Sequence, residues 1–202
     1  MENLNNSLFL ALNAPAEPSA FALMFATLLA KWVLYLLMLF MVVGWIRGAR
    51  AMRVALLDTL LAIVLGLALN SVLAHLLGYS PRPFAAGLGH QFLAHAPDNS
   101  FPSDHGTFAF TFAFSLLFHR SCRGWGALAL LLALGIAWSR IYLGVHFPRD
   151  MAGSFIVAIV SAGILRSGSG WLAAHLYPLA FRVYGGILEL LHLPQGLFPR
   201  QD

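Results

Sequence analysis

The sequence predicts an all-α membrane protein: a bundle of about five transmembrane helices, with six as the alternative count, and a C-terminal amphipathic helix. Three observations carry this expectation. Of the 202 residues, 59% are hydrophobic and only 10% are charged, where soluble domains carry roughly a quarter charged residues. The mean hydropathy is +0.77. The apolar residues come in long runs, and such runs must be helical in lipid, because no water is there to satisfy free backbone groups. The length fits one domain over 1–202, with a membrane core over 20–166 and an interfacial tail over 167–202.

The elements follow in order. The first nineteen residues lack a basic leading segment and are not read as a cleaved signal peptide. Spanning helices are expected over 20–46, 54–75, 102–118, 125–143 and 147–165. The third and fifth are short for a bilayer, which places their polar beginnings in the headgroup zone. Beyond Arg166 the chain turns polar and glycine-rich over 167–170. The stretch 171–193 then mixes apolar residues with His175, Arg182, Glu189 and His192, the pattern of a helix lying on the membrane rather than a sixth span.

Charge fixes an orientation. The turn after the first helix holds Arg47, Arg50 and Arg53, the turn after the third holds His119, Arg120 and Arg123, and Arg166 follows the fifth. Five spans put all of them on one side, and an excess of short-loop arginine marks that side as cytoplasmic. The N-terminus and the loops 76–101 and 144–146 then face outward. The net charge of +4 is not gathered in runs that could track a nucleic acid, and the lone Cys122 excludes an intramolecular disulfide or a cysteine metal cage. Lys31, inside the first apolar run, is expected to snorkel outward or lie near the outer interface, with a buried partner as the alternative. Asp58 is expected to pair with Arg53 or Arg50. His90, His95 and Asp98 read as a solvated loop, with a lid as the alternative. Phe108, Phe110, Phe112 and Phe114 read as lipid-facing or packing surface, with a prenyl groove as the alternative.

Three polar stretches interrupt the oily chain: Pro81-Arg82-Pro83-Phe84, Pro102-Ser103-Asp104-His105, and Ser139-Arg140 followed by His146 and Asp150. Helix parity places all three on the outer face. His146 and Asp150 are four apart and share a face if a helix begins near Phe147, where Pro148 suits the first turn. A carboxylate there can fix the imidazole tautomer and leave the other nitrogen free to attack. Arg140 offers a planar fork to phosphate oxygens. The bland alternative is a membrane-edge ion pair of Asp150 with Arg149 or Arg140.

In the second stretch the N–H groups of a helix start can hold an anion, Ser103 adds a donor, and His105 can hand a proton to a leaving oxygen. An ordinary Ser/Asp N-cap is the alternative, but it leaves the histidine unexplained, and ionisable residues within spans are functional candidates by default. Prolines on both sides of Arg82 fix its backbone; taken singly, this is a rigid surface turn. Together the three stretches supply a nucleophile with its orienting carboxylate, a proton donor and two arginine clamps, the parts of a double-displacement phosphatase. A metal site would leave the arginines repelled and without a role, so neither metal nor cofactor is expected.

On these residues the chain resembles the type 2 phosphatidic acid phosphatase superfamily, whose motifs read Lys-x6-Arg-Pro, Pro-Ser-Gly-His and Ser-Arg-x5-His-x3-Asp. The third is complete at Ser139, Arg140, His146 and Asp150; the second carries Asp104 in place of glycine; the first keeps Arg82-Pro83 but has His75 at the lysine position. Residues 98–107 and 137–146 are similar to a narrower group, the bacitracin-resistance branch of undecaprenyl-diphosphate phosphatases. The resemblance implies a multi-pass enzyme of the bacterial cytoplasmic membrane. Facing the periplasm, it would remove the terminal phosphate of a polyprenyl diphosphate among the membrane lipids and so recycle the cell-wall lipid carrier. By the same resemblance His146 is the nucleophile, Asp150 its partner and His105 the acid, while Arg82, Ser103 and Arg140 hold the phosphoryl oxygens.

Other lipid phosphates, such as phosphatidylglycerophosphate, phosphatidate or lipid A, and a small transporter with a His/Arg/Asp gate remain alternatives, and the sequence does not give an oligomeric state. Asp104 is included in the site by position, although a carboxylate beside a diphosphate costs on the order of 1–4 kcal/mol at ~4 Å. His75 can replace a lysine only when protonated, which predicts activity falling toward alkaline pH. A His75→Lys rate profile identical to wild type from about pH 6 to 9 would reject that role.

Overall fold

The computed structural model describes residues 2–192, and within them every regular element is a helix. In chain order these are α1 (Glu2–Leu12), α2 (Ala20–Arg47), α3 (Arg50–Leu77), α4 (Asp104–Phe118), α5 (Arg123–Tyr142), preceded by a single 3-10 turn at Arg120–Cys122, and α6 (Pro148–Leu190). Four helical stretches are long and apolar enough to cross a membrane: Ala20–Arg47, Arg50–Leu77, Arg120–Tyr142 and Pro148–Leu190. With α4 they form the expected five-helix bundle.

Local chemistry sets the ends. Ser19 caps α2 by accepting from the Ala22 N–H at 3.2 Å, and Ser103 caps α4 by accepting from Gly106 N–H at 3.3 Å. Gly78, at φ +79°, ends α3 in a backbone conformation that favours glycine. Pro148 opens α6, and Asp150 in its first turn accepts the Phe147 N–H at 2.8 Å.

The short helix α4 is the centre of the bundle, not a lipid-facing span. Ten of its fifteen residues are buried, among them Phe110, Phe112 and Phe114. Phenylalanines spaced by two point to several sides of a helix, and a helix apolar all round belongs inside a core. Phe40 meets Phe112 edge-on and Phe155 meets Phe114. Small residues let the neighbours close in: a Cβ on Gly126 of α5 would sit 2.5 Å from the Leu117 backbone nitrogen of α4.

Two expectations are corrected. The break foreseen at 167–170 does not occur; α6 runs 43 residues without interruption, roughly 65 Å at the helical rise and about twice the hydrocarbon thickness. The tail is helical, but as a continuation of α6 and not a separate surface helix. Tertiary contacts hold it there: Ser169 donates to Asp58, Trp45 packs on Tyr177 and Tyr184, and the Arg50 and Arg53 guanidiniums lie over the Tyr177 and Phe181 rings. Residues 193–202 of the expected tail lie outside the described residues. Secondly, Asp58 pairs with neither arginine; it is held by Ser169 and by His119 Nε2 at 2.8 Å, while Arg53 donates to the Trp45 carbonyl at the end of α2.

The N-terminus, for which the sequence set out no element, forms α1 and closes over the loops at one end of the bundle. Asn5 accepts from the Arg149 N–H, Phe9 stacks edge-on against Phe147, and Asn13 donates to the carbonyls of His90 and Tyr142. That end carries the 78–103 loop and the 143–147 turn.

The close α4–α5 contact yields a stability prediction. Gly126→Ala should lower stability by about 1–3 kcal/mol through overpacking. Gly163→Ala, whose Cβ meets open space, should be neutral or gain up to ~1 kcal/mol of helix propensity. Thermal unfolding in detergent compares the two, and equal midpoints would contradict the contact.

Candidate active site

Arg82 sits in the loop after α3, fixed by its flanking prolines and only 5% exposed. Its Nε donates to Asp98 at 2.7 Å, one terminal nitrogen donates to the Val145 carbonyl at 2.9 Å, and the other to the Asn99 carbonyl at 3.2 Å. The nitrogen that reaches Val145 also lies 2.9 Å from His146 Nε2. A guanidinium can only donate, so Nε2 must accept, and the single proton of a neutral imidazole is then on Nδ1. The surroundings agree: Nδ1 faces Asp150 Oδ2 at 3.3 Å. The same carboxylate oxygen accepts from Ser100 Oγ at 2.6 Å and from the Phe147 N–H at 2.8 Å. Asp150 is therefore locked in position by three groups.

His146 is held well below the ordinary histidine range by burial first, then by the charges of Arg140 and Arg82, which keeps the ring neutral with its lone pair on Nε2. Ser103 Oγ lies 3.2 Å from that atom. His95, whose ring centroid is 6.2 Å from that of His146, is also lowered, by burial first and then by the two arginines. For Asp98, burial alone would raise the carboxyl, but the Arg82 hydrogen bond and charge together outweigh it and the net shift is downward.

Arg140 ends α5 with 2% exposure, and its Nε and one terminal nitrogen are buried without a partner. Such orphaned cationic donors are costly unless an anion meets them. Arg140 and His105 line one cavity of about 550 Å³ together with His95, Lys31, Trp32, Tyr35 and Met38. The arrangement can hold a tetrahedral anion between guanidiniums and a helix N-terminus, beside an imidazole whose Nε2 lone pair faces Arg82.

Of the residues singled out in the sequence, Arg82, Ser103 and Asp150 each meet His146, and Arg140 and His105 face the adjoining cavity. Two are not brought in. Asp104 is exposed, with one oxygen accepting from Asn70 Nδ2 at 2.8 Å, so it is turned toward α3. His75 is exposed on α3 and does not line the cavity, which removes the geometric basis for a protonated stand-in at the lysine position. Sequence reasoning missed Ser100, and it read His95 and Asp98 as a solvated loop, with a lid as the alternative, where the structure sets His95 beside His146 and Asp98 on Arg82. A serine and an aspartate in a loop carry no periodic signal; only their nearness to the second motif could have drawn attention to them.

Comparisons with known proteins give the family and the fold. A profile of the PAP2 superfamily matches residues 55–172, which contain all three motifs. The Escherichia coli K12 protein YbjG, provisionally named an undecaprenyl-diphosphatase, is 40% identical over 174 residues, covering 86% of this chain and 85% of that one. The undecaprenyl-diphosphatase BcrC of Bacillus subtilis is 35% identical, covering 73% and 74%. A Bacillus licheniformis relative at 35% identity, covering 66% and 65%, is named a bacitracin transport permease protein. Among solved structures, Aquifex aeolicus LpxE superposes with a TM-score of 0.62 at 31% identity, covering 80% of this chain and 94% of that one. A phosphatidylglycerolphosphate phosphatase of Bacillus subtilis shares the fold, with a TM-score of 0.59 at 18% identity over 85% and 87%. With a profile match over more than half its length and these relatives across most of it, the chain belongs to the PAP2 superfamily.

Proposed function

We propose that this protein is a membrane phosphatase that converts undecaprenyl diphosphate to undecaprenyl phosphate and inorganic phosphate, through a phosphohistidine at His146. The observation that carries the reading is the buried His146 ring, oriented by Asp150, with its Nε2 beside Arg82 and Ser103, in a site that also holds the buried, unpartnered donors of Arg140. The names of two relatives supply the lipid.

In the first half-reaction Nε2 attacks the terminal phosphorus. The bond from that phosphorus to the bridging oxygen breaks, and His105 protonates the departing oxygen. Arg82, Arg140 and the Ser103 hydroxyl neutralise the transferring phosphoryl group, the electrostatic contribution on which such reactions chiefly depend. Asp150 stabilises the imidazolium character that builds at Nδ1. In the second half-reaction water loses a proton to His105 and attacks the phosphohistidine; the P–N bond breaks, phosphate leaves and His146 returns to neutral. Two guanidiniums supply the positive charge that a metal would otherwise provide.

The site lies at the end of the bundle opposite the basic turns around Arg47, Arg50, Arg120 and Arg123, which by the positive-inside rule supports an active site on the periplasmic face of the bacterial inner membrane. A transport reading, prompted by the name of the Bacillus licheniformis relative, gives no role to a buried, oriented imidazole.

Purified protein in detergent should release phosphate from undecaprenyl diphosphate faster than from phosphatidate or phosphatidylglycerophosphate, and EDTA should not stop it. His146→Ala should lower the rate by more than about 10³-fold, and His105→Ala by on the order of 10²–10⁴-fold, with an acid-labile phosphoprotein accumulating in the latter. Normal turnover by His146→Ala would sink the covalent route. Separately, the His146 ring should titrate below pH 6.5. NMR of imidazole-labelled protein, with His146→Ala to assign the signal, reads this directly, and a midpoint at or above the ordinary value would contradict a buried neutral ring.

A further inference from the structure

We infer that Lys31 anchors a second anion subsite, which takes the phosphate that stays on the lipid when the terminal phosphate is transferred. The inference rests on the diphosphatase reading above and extends it to a residue outside the three motifs and outside the span that the family profile matches.

Lys31 is the only charged residue in α2 before the terminal Arg47. An ammonium within a spanning helix is expensive unless it meets water, a cavity or a counter-charge. Its neighbour Ala30 is buried against Leu93, Leu143 and Val145, the segments that lead directly to His95 and His146. The helix register therefore sets Lys31 at the level of the site and not at the outer end of α2. There it lines the same cavity as His95, His105 and Arg140.

That cavity has a mixed lining: the cationic and imidazole groups of Lys31, His95, His105 and Arg140 share it with Trp32, Leu34, Tyr35 and Met38. Met38 also lines an apolar groove of about 650 Å³ with Met41, Leu60, Ile63 and Phe108. An occupant matching these joined surfaces has an anionic head and a long hydrocarbon tail.

The chemistry assigns Lys31 a part in turnover as well as in binding. In-line attack by His146 expels the leaving oxygen on the far side of the phosphorus. When a diphosphate is cleaved, the bond electrons move onto the lipid phosphate, and the extra negative charge develops on a group that Lys31 can reach. When a monophosphate ester is cleaved, the leaving group is an alcohol and holds no phosphate for Lys31 to meet. Lys31 thus favours diphosphates over monophosphates.

The test uses two soluble substrates with one tail, farnesyl diphosphate and farnesyl phosphate, and the full-length protein. Lys31→Met should lower kcat/KM for the diphosphate at least about tenfold and leave the monophosphate within about twofold, with Lys31→Arg restoring most of the loss. Inhibition by methylenediphosphonate should weaken in Lys31→Met while inhibition by orthophosphate does not change. This second comparison is independent of turnover on either lipid. Equal losses on both substrates with unchanged methylenediphosphonate inhibition, or no loss on either, would overturn the subsite while leaving the diphosphatase reading intact. Wild-type protein that cleaves farnesyl phosphate but no polyprenyl diphosphate would instead overturn the functional reading, and the subsite with it.

Discussion

The buried guanidinium of Arg82 is the interaction on which the site depends. Its donors reach Asp98, Asn99, Val145 and His146, so one side chain ties together three loop segments far apart in sequence. A buried cation demands acceptors in several directions, and only one mutual arrangement of these loops supplies them. The partial exposure of Asp98 lets the ion pair form without desolvating both charges fully, while the backbone carbonyls of Val145 and Asn99 complete the fork. The proline on each side of Arg82 narrows the backbone before any of these bonds form.

Below the loops, the bundle is organised to bring those segments together. The central α4 begins at Ser103, and Ser154 of α6 donates to the Ser103 carbonyl at 2.8 Å, so the two helices that carry Ser103 and Asp150 are pinned at their starts. A polar seam runs deeper: Asn70 of α3 accepts from Thr107 of α4, and Thr59 donates to Ser115. At the other end His119 and Ser169 converge on Asp58. Lipid provides no hydrophobic force between helices, so such hydrogen bonds and close small-residue contacts define their register.

Much of this was legible in the sequence because composition and motif spacing speak about different levels. Composition and run length gave five helices, and their ends were anticipated to within a few residues at most boundaries. The four-residue separation of His146 and Asp150, with Pro148 between them, announced an oriented imidazole before any geometry was known. What escaped had no periodic signal. Ser100 acts through contacts with His146 and Asp150 more than forty residues away, and the part played by Asp98 depends on a loop that folds it back onto Arg82. The continuity of α6 through Gly168 and Gly170 was hidden because local glycine content argued for a break, while Ser169 and the aromatic contacts of Tyr177 outweigh that preference. Asp104 and His75 were placed in the site by motif alignment alone, and tertiary structure directs both elsewhere.

The pairing of the Arg82 terminal nitrogen with His146 Nε2 has a chemical consequence. The lone pair that makes the imidazole reactive is already occupied in the resting protein, shielded by a cation that neutral electrophiles have no means of drawing away. A dianion, by contrast, competes for the guanidinium and uncovers the nitrogen as it arrives. Reactivity is thereby gated by the charge of the incoming molecule, and the ring is guarded from stray alkylation or acylation until something phosphate-like enters.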